Sequence, residues 1–504
     1  MSLIGLDVGT TGCKAVVFDE NGSELAQAYR EYPLLHPQPG WSELSTATIW
    51  SAVQEVLARV ARTIGTSDPP QAISVSCQGE AVAPIAQDGQ ALSNFSVSFD
   101  DRTIPQYHWW LEQVGKEHIF QITGMPLHPM HSINKMMWFR DNRPEIFAKT
   151  WKFLCVEDYI IFQLSGELAI DYSLAARTMA FDIRALTWSA DMLRAAKIDP
   201  EVLPVPYPSG TAVGVIRPTL AQELCLPTHT KIVTGGHDQP CGALGAGVIK
   251  EGLVLNATGT SDVLCPAMRE PILTPKMLAH NYSCSPHTFR DYYCSIGFNL
   301  TGGLLLRWYR DVLCAGECAE ARQRGCDPYQ VIIEHASAEI ARPLFLPHFV
   351  GSGTPTLDPI SRGALVNMTI DVDKAELNRA VLDSLKYEMR YKIEAMEDAG
   401  IQIETIRAIG GGAKSERWLQ LKADVFGKPV ELLEVTEAAA LGAAFLAGQA
   451  IGTYTDIAND IQHIVRPKKC FEPDLHQHVR YADQYAAYKE IYPTLREFNH
   501  TLAQ

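Results

Sequence analysis

The first residues able to do chemistry are an aspartate and a turn. Asp7 closes an apolar run, Leu3-Ile-Gly-Leu, and Gly9-Thr10-Thr11-Gly12 follows at once. A carboxylate beside a turn rich in N–H and hydroxyl donors suits a magnesium nucleotide: the acid faces the metal, directly or through water, and the donors face phosphate oxygens. The same spacing also fits an aspartate that merely caps a turn. Thr258-Gly-Thr-Ser261 and Gly410-Gly-Gly-Ala413 offer two further seats for a phosphate or nucleoside, and each alone is equally a plain turn. Neither is a P-loop, because Gly-x4-Gly-Lys-Ser would need glycine at positions 408 and 413, and both are alanine.

Lys231-Ile-Val-Thr234 predicts a strand that delivers Gly235-Gly-His-Asp238-Gln239 into a helix of small residues, so that Asp238 projects at the mouth of a cleft. A carboxylate held there can accept the proton of a substrate hydroxyl while its oxygen attacks phosphorus. An aspartate ahead of a helix is equally an N-cap. Gln78-Gly-Glu80, Asp100-Asp101-Arg102 and Lys135 could give hydrogen bonds to a polyol, whose hydroxyls both donate and accept, or stand as ordinary surface charges.

Leu3–Asp7 predicts a buried strand and Lys14–Phe18 a second, and Asn21-Gly22 is a type I′ hairpin signal leading to a third, an antiparallel meander. Ile49, Val53, Val56, Leu57 and Val60 fall at helical spacing behind a Ser45 cap, and Ala72–Cys77 returns as a strand. About 240 residues later, Gly252–Asn256, the Thr258–Ser261 turn and Val263-Leu264 repeat strand, turn, strand, which an internal duplication explains. A helix is predicted over Glu376–Ala399, with Asp373 and Glu376 as a capping box and Gly400 as its stop. Thr405–Ile409 then predicts a strand, Gly410–Gly412 a loop and Ser415–Phe426 a helix, while Thr436–Gly448 is a helix whose small residues let its backbone lie against a neighbour. After about residue 450 no comparable signal follows, and a surface appendix is expected.

The 504 residues carry 43 basic and 58 acidic side chains, a net charge of −15, with 46% hydrophobic and 20% charged residues. That balance excludes a disordered tail, a collagen or a small disulfide scaffold, and the length fits two large domains or three of about 150 residues. With Arg466–Lys469 the only short basic cluster, no nucleic-acid partner is expected. The twelve cysteines include no CxxC pair, which reads as reduced thiols in the cytoplasm. No signal peptide is expected, since Asp7 interrupts the N-terminus, and no membrane contact, since Ala438–Gly448 falls short of the ~18 residues a span needs.

Taken in order over roughly residues 3 to 450, these motifs resemble the FGGY carbohydrate kinases. Met130-x-Ser132-x-x-Lys135-Met-x-Trp138-Phe-x-Asp141-Asn142 fits the family's first signature, and Asp7-Val-Gly-Thr-Thr11, Asp158-Tyr with Gly166, Gly236-His-Asp238-Gln, Gly259-Thr-Ser261, Gly411-Gly-Ala413 and Thr436-Glu-Ala-Ala-Ala-Leu-Gly also match. The second signature, around Gly363-Ala-Leu-Val-Asn367-Met, departs at Asn367, where the family usually has glycine. Ser352-Gly353 stands where the family has an acidic residue.

The resemblance implies an α/β fold of two actin-like, ribonuclease H-like ATPase domains with a cleft between them: a sugar-binding domain over 1–247, an ATP-binding domain over 248–450, and the appendix over 451–504. It implies Asp238 as catalytic base, and Asp7 with Asp238 as the Mg2+ site beside the Thr10/Thr11 phosphate turn. Gly259, Thr260 and Gly303 are similar to the family's phosphate loop, and Gly411, Gly412 and Ala413 to its adenosine loop. Gln78, Gly79, Glu80, Asp100, Asp238 and Gln239 would line the sugar. The expected cofactors are ATP and Mg2+, the partner a small sugar, and the assembly a homodimer.

The triplet Gln78-Gly79-Glu80 is where substrate choice would be read. Glycerol kinases have Gln-Arg-Glu there, and Gly79 is expected to leave an open space that argues against glycerol. Xylulose kinases have Gln-Met-His, and Glu80 takes the histidine's place. The reading is a ketopentose such as xylulose, with gluconate, ribulose, fuculose or erythritol as alternatives. From other classes, an actin- or chaperone-like ATPase would need the nucleotide turns but no sugar pocket, and a ribonuclease H-like nuclease is disfavoured by the acidic charge.

Overall fold

The computed structural model describes residues 1–502. Apolar runs and tight turns give the first meander as expected: β1 (Leu3–Val8), β2 (Gly12–Phe18) and β3 (Glu24–Glu31) pair antiparallel. The β2–β3 turn is not the two-residue type I′ hairpin. Only Gly22 takes a positive φ, and the Asp19 carboxylate accepts the N–H groups of Asn21 and Ser23, so a side chain closes a longer turn. Helix α1 (Thr46–Ile64) starts where Ser45 Oγ accepts the Thr48 N–H and lays its apolar face on β2 and β3. The chain then returns as β4 (Ala72–Cys77), parallel to β1. Later come β5 (Ala212–Val215) and β6 (Lys231–His237), completing a six-stranded sheet in the order β5-β6-β4-β1-β2-β3.

The second half repeats this plan. Strands β7 (Gly252–Thr258) and β8 (Asp262–Met268) pair antiparallel, and β9 (Gly297–Asn299) adds to β8. On the other side of β7 lie β10 (Ile403–Gly410) and β11 (Val430–Leu433), both parallel to it. Strand β12 (Pro467–Phe471) closes that edge antiparallel. Read outward from β1 and from β7, the two sheets share one order and one set of directions, and this is the duplication hinted at by the repeated Gly/Thr turn.

Helices α2 (Asp238–Gly245) and α3 (Ala438–Ala450) join the halves. Their small residues allow contact at backbone distance: a Cβ at Gly245 would overlap the Ala438 carbonyl, one at Gly442 the Cys241 carbonyl, and one at Gly5 of β1 the Ala440 carbonyl. Around this crossing a buried apolar cluster runs through both sheets, including Leu3, Val233, Leu255, Cys265, Leu441 and Phe445.

Two expectations change. The long helix over Lys374–Asp398 is N-capped by Asp373, which accepts the Glu376 N–H, but Glu376 turns to Arg342 instead of completing a capping box. The stretch after 450 is no surface appendix. Strand β12 extends the second sheet, and Tyr481, Tyr485 and Tyr488 bury their rings around Tyr387, with Tyr488 bonded to Glu388 and Tyr481 to Arg379. Aromatic residues spaced by three to four along the helix carry that packing, and they are interleaved with charges that hide the pattern. Asn367, which stands at the family's glycine, has φ 61°, a left-handed conformation that asparagine tolerates, and its amide donates to the Arg342 carbonyl.

Candidate active site

The parallel strands end on one edge of each sheet, and the sites grow from those ends. Asp7 is the penultimate residue of β1. Its Oδ1 accepts the Ser76 hydroxyl at 2.9 Å from the end of β4. Burial raises its pKa to about 6, and the Glu437 charge adds to this against the pull of Ser76 and Lys14. The turn after it is set by a Gly9 N–H to Gly12 O bond, and the Gly9 carbonyl accepts from Tyr32 Oη and from Gln78 Nε2. That leaves the hydroxyls of Thr10, half-buried, and Thr11, exposed, without a partner among the described residues.

Asp238 opens α2. The N-cap is His237, so the capping alternative for Asp238 is not realised. Its carboxylate keeps a third of its surface open and meets His237 Nε2 at 3.1 Å, with no lysine or arginine in ion-pair range among the described residues. Desolvation, then the negative charges of Asp7 and Glu80, push its pKa up to about 7. The strand that delivers it slips register between Val233 and Gly236. There the buried Glu157 carboxylate takes up the Gly235 N–H at 2.6 Å and also accepts the Asp171 N–H. Neighbouring Gln239 is half-buried, and its amide has no partner among the described residues.

The triplet after β4 behaves less simply than its letters suggest. Gln78 Oε1 is buried without a partner. Glu80 has φ 62°, and its carbonyl accepts Lys135 Nζ at 2.7 Å and Ser132 Oγ at 3.0 Å, so two residues of the first signature hold that backbone. Lys135 is therefore not an open sugar ligand. Gly79 leaves no free space: a Cβ there would lie 2.9 Å from His237 Cδ2 and 3.5 Å from Arg177 Cγ. Arg177, unmarked by the sequence reading, grips the Glu80 carboxylate with Nε and a terminal nitrogen. Asp100 is drawn inward, its oxygens accepting from Ser42 N, Arg102 N and the Arg102 guanidinium, which stacks on Trp41.

In the second half, Gly259 and Thr260 follow β7 in an exposed loop whose carbonyls accept the N–H groups of Gly303 and Leu304. Gly303 must lack a side chain, since a Cβ would overlap Gly259 O. Gly411, Gly412 and Ala413 follow β10 in a short 3-10 turn, and a Cβ at Gly412 would come 3.0 Å from Thr258 and from Trp418 Nε1. Under both loops, buried Lys422 donates to Asn256 Oδ1 and, at 2.8 Å, to Thr258 Oγ1, while Asp262 accepts from the same two side chains. Lys14 of β2 reaches Glu437, just ahead of α3, at 2.7 Å. Sequence reasoning missed Lys14, Arg177 and Lys422 as site residues, because a single cation inside an apolar or helical segment carries no spacing signal.

A desolvated aspartate at a strand end, a glycine and threonine turn at another strand end of the same half, and glycine loops at the matching strand ends of the second half are what a phosphotransferase of the actin-like fold requires. Residues 2–245 match the N-terminal domain of the FGGY family of carbohydrate kinases and 254–451 its C-terminal domain. The chain is 30% identical over 504 residues to a xylulose kinase of Bacillus subtilis, covering 99% of this chain and 98% of that one. It is 30% identical over 461 residues to a gluconokinase of the same organism, covering 89% and 88%. The solved structure of a ligand-bound xylulose kinase from Lactobacillus acidophilus superposes with a TM-score of 0.91 at 27% identity, covering 99% of each chain. The chain belongs to the FGGY family of carbohydrate kinases, and it is a sugar phosphotransferase.

Proposed function

We propose that the chain transfers the γ-phosphoryl group of ATP to a terminal hydroxyl of a small sugar, a ketopentose such as xylulose. The observation that carries this is Asp238: outside ion-pair range of any lysine or arginine among the described residues, raised to about 7, and with a third of its side chain exposed. The hydroxyl proton passes to Asp238 as the oxygen bonds to the γ-phosphorus and the bond to the ADP oxygen breaks. Gly259, Thr260 and Gly303 support the phosphates, with Thr10 and Thr11 facing them from the other half, and Gly411, Gly412 and Ala413 support the nucleoside. Gln78, Glu80 and Gln239 line the sugar, with Gly79 beside them. Asp100 contributes through Arg102, since its own oxygens are taken.

Asp7 and Asp238 fit a magnesium ion in one respect: both carboxylates are desolvated, and among the described residues neither lies in ion-pair range of a lysine or arginine. An ion held by two carboxylates would keep waters and take phosphate oxygens. Bound there, it would neutralise charge on the transferring group.

The gluconokinase relative at equal identity favours an aldonic acid as the second reading. An ADP-release screen with D-xylulose, D-ribulose, D-gluconate, erythritol and glycerol tests the assignment, and D-xylulose is expected to stimulate most. Replacement of Asp238→Asn is expected to lower kcat by about 10²–10⁴-fold while nucleotide binding persists. Full turnover by that variant, or no stimulation by any sugar, contradicts the reading.

A further inference from the structure

Arg177 is the charged group of the sugar pocket that neither the motifs nor the catalytic scheme uses. It ends a helix over Tyr172–Arg177 and is buried, and its Cγ lies with the His237 ring against the open side of Gly79. Nε and one terminal nitrogen are spent on a single oxygen, Glu80 Oε1. The other terminal nitrogen, NH1, meets only the Met125 thioether, at 3.7 Å, a weak acceptor. No ion pair joins Arg177 to Asp238 among the described residues. Charge balance points the same way. Glu80 neutralises Arg177, yet buried Lys135 touches only the Glu80 carbonyl, and no carboxylate lies in ion-pair range of it among the described residues.

We propose that Arg177 is a specificity-determining residue whose NH1, held only by the Met125 thioether, donates to the oxidised end of the substrate, a ketone or carboxylate remote from the phosphorylated hydroxyl. A guanidinium is a donor only and pairs best with such acceptors, whereas the Glu80 carboxylate serves neighbouring hydroxyls. The pocket therefore takes ketoses and aldonic acids and discriminates against the fully reduced polyols.

The inference rests on the sugar-kinase reading, and the two fail differently. ADP release by the full chain is measured with D-xylulose, D-gluconate and the polyols xylitol and D-arabinitol, for the wild type, Arg177→Met and Arg177→Lys. The wild type is expected to favour the better of D-xylulose and D-gluconate over both polyols by about 10–100-fold in kcat/KM, the effect of one charge-assisted hydrogen bond. R177M is expected to lose that preference while KM for ATP stays within about twofold, and R177K to recover part of it. If R177M fails to fold, R177K and the wild-type ratio decide. A wild type that uses xylitol as well as D-xylulose, or an R177M that keeps the ratio, overturns the assignment of Arg177. A wild type stimulated by nothing overturns the kinase reading instead.

Discussion

A carboxylate that works as a base must be unprotonated, and Asp238 is held near neutrality by burial and by the negative charges of Asp7 and Glu80. The pH profile of kcat/KM is therefore expected to rise through an apparent pKa of about 7 and then level. The same shift has a consequence for stability. The folded carboxyl keeps its proton up to about 7 whereas the unfolded one loses it near 3.8, so between these values the native state binds more protons and stability falls as pH rises. Asp238→Asn removes that contribution. Its melting temperature is expected to exceed the wild type's at pH 8, with the difference shrinking toward pH 4.5. Equal differences at both values would show that Asp238 titrates normally in the free protein.

At the level of elements, the meander, β4, β6 and the strand, loop and helix over 403–426 were legible because each has an apolar period bounded by glycine or a cap. The placement of residues at strand ends was legible for the same reason: Asp7, Asp238 and the glycine loops sit where a periodic run stops. What lay beyond reading were pairings between distant segments, such as Arg177 with Glu80, Ser132 and Lys135 with a main-chain carbonyl, and Lys422 under two loops. Gly79 is the instructive miss, since absence of a side chain was taken for space and the space belongs to His237 and Arg177. Lys422 gives this scale its prediction. Its ammonium fixes Thr258, against which Gly412 rests, so Lys422→Met is expected to raise KM for ATP about tenfold or more and leave the sugar KM unchanged. Equal effects on both constants in steady-state kinetics would mean that the lysine supports the fold alone.

For the whole molecule, two halves of one plan meet through bare backbone at Gly5, Gly245 and Gly442, with Lys14 and Glu437 as an ion pair across the join. Relative movement of the halves would have to be accommodated at that crossing and at the Gly124–Cys284 main-chain bond that also joins them. The family match ends at residue 451, but the second half does not. A chain stopped there would bare the hydrogen-bonding edge of β11, leave Tyr387 without its aromatic neighbours and strip Arg379 and Glu388 of their tyrosine partners. Such a chain is expected to be largely insoluble, and recovery of wild-type soluble yield with a native circular dichroism spectrum would refute that.

The same tyrosines set an order of events during synthesis. The six strands of the first sheet are all available once His237 has left the ribosome, whereas the second sheet lacks an edge and the wall around Tyr387 until residues beyond 480 emerge. The nascent second half therefore stays incomplete until its last strand and helix emerge, and that interval is when a chaperone would find it.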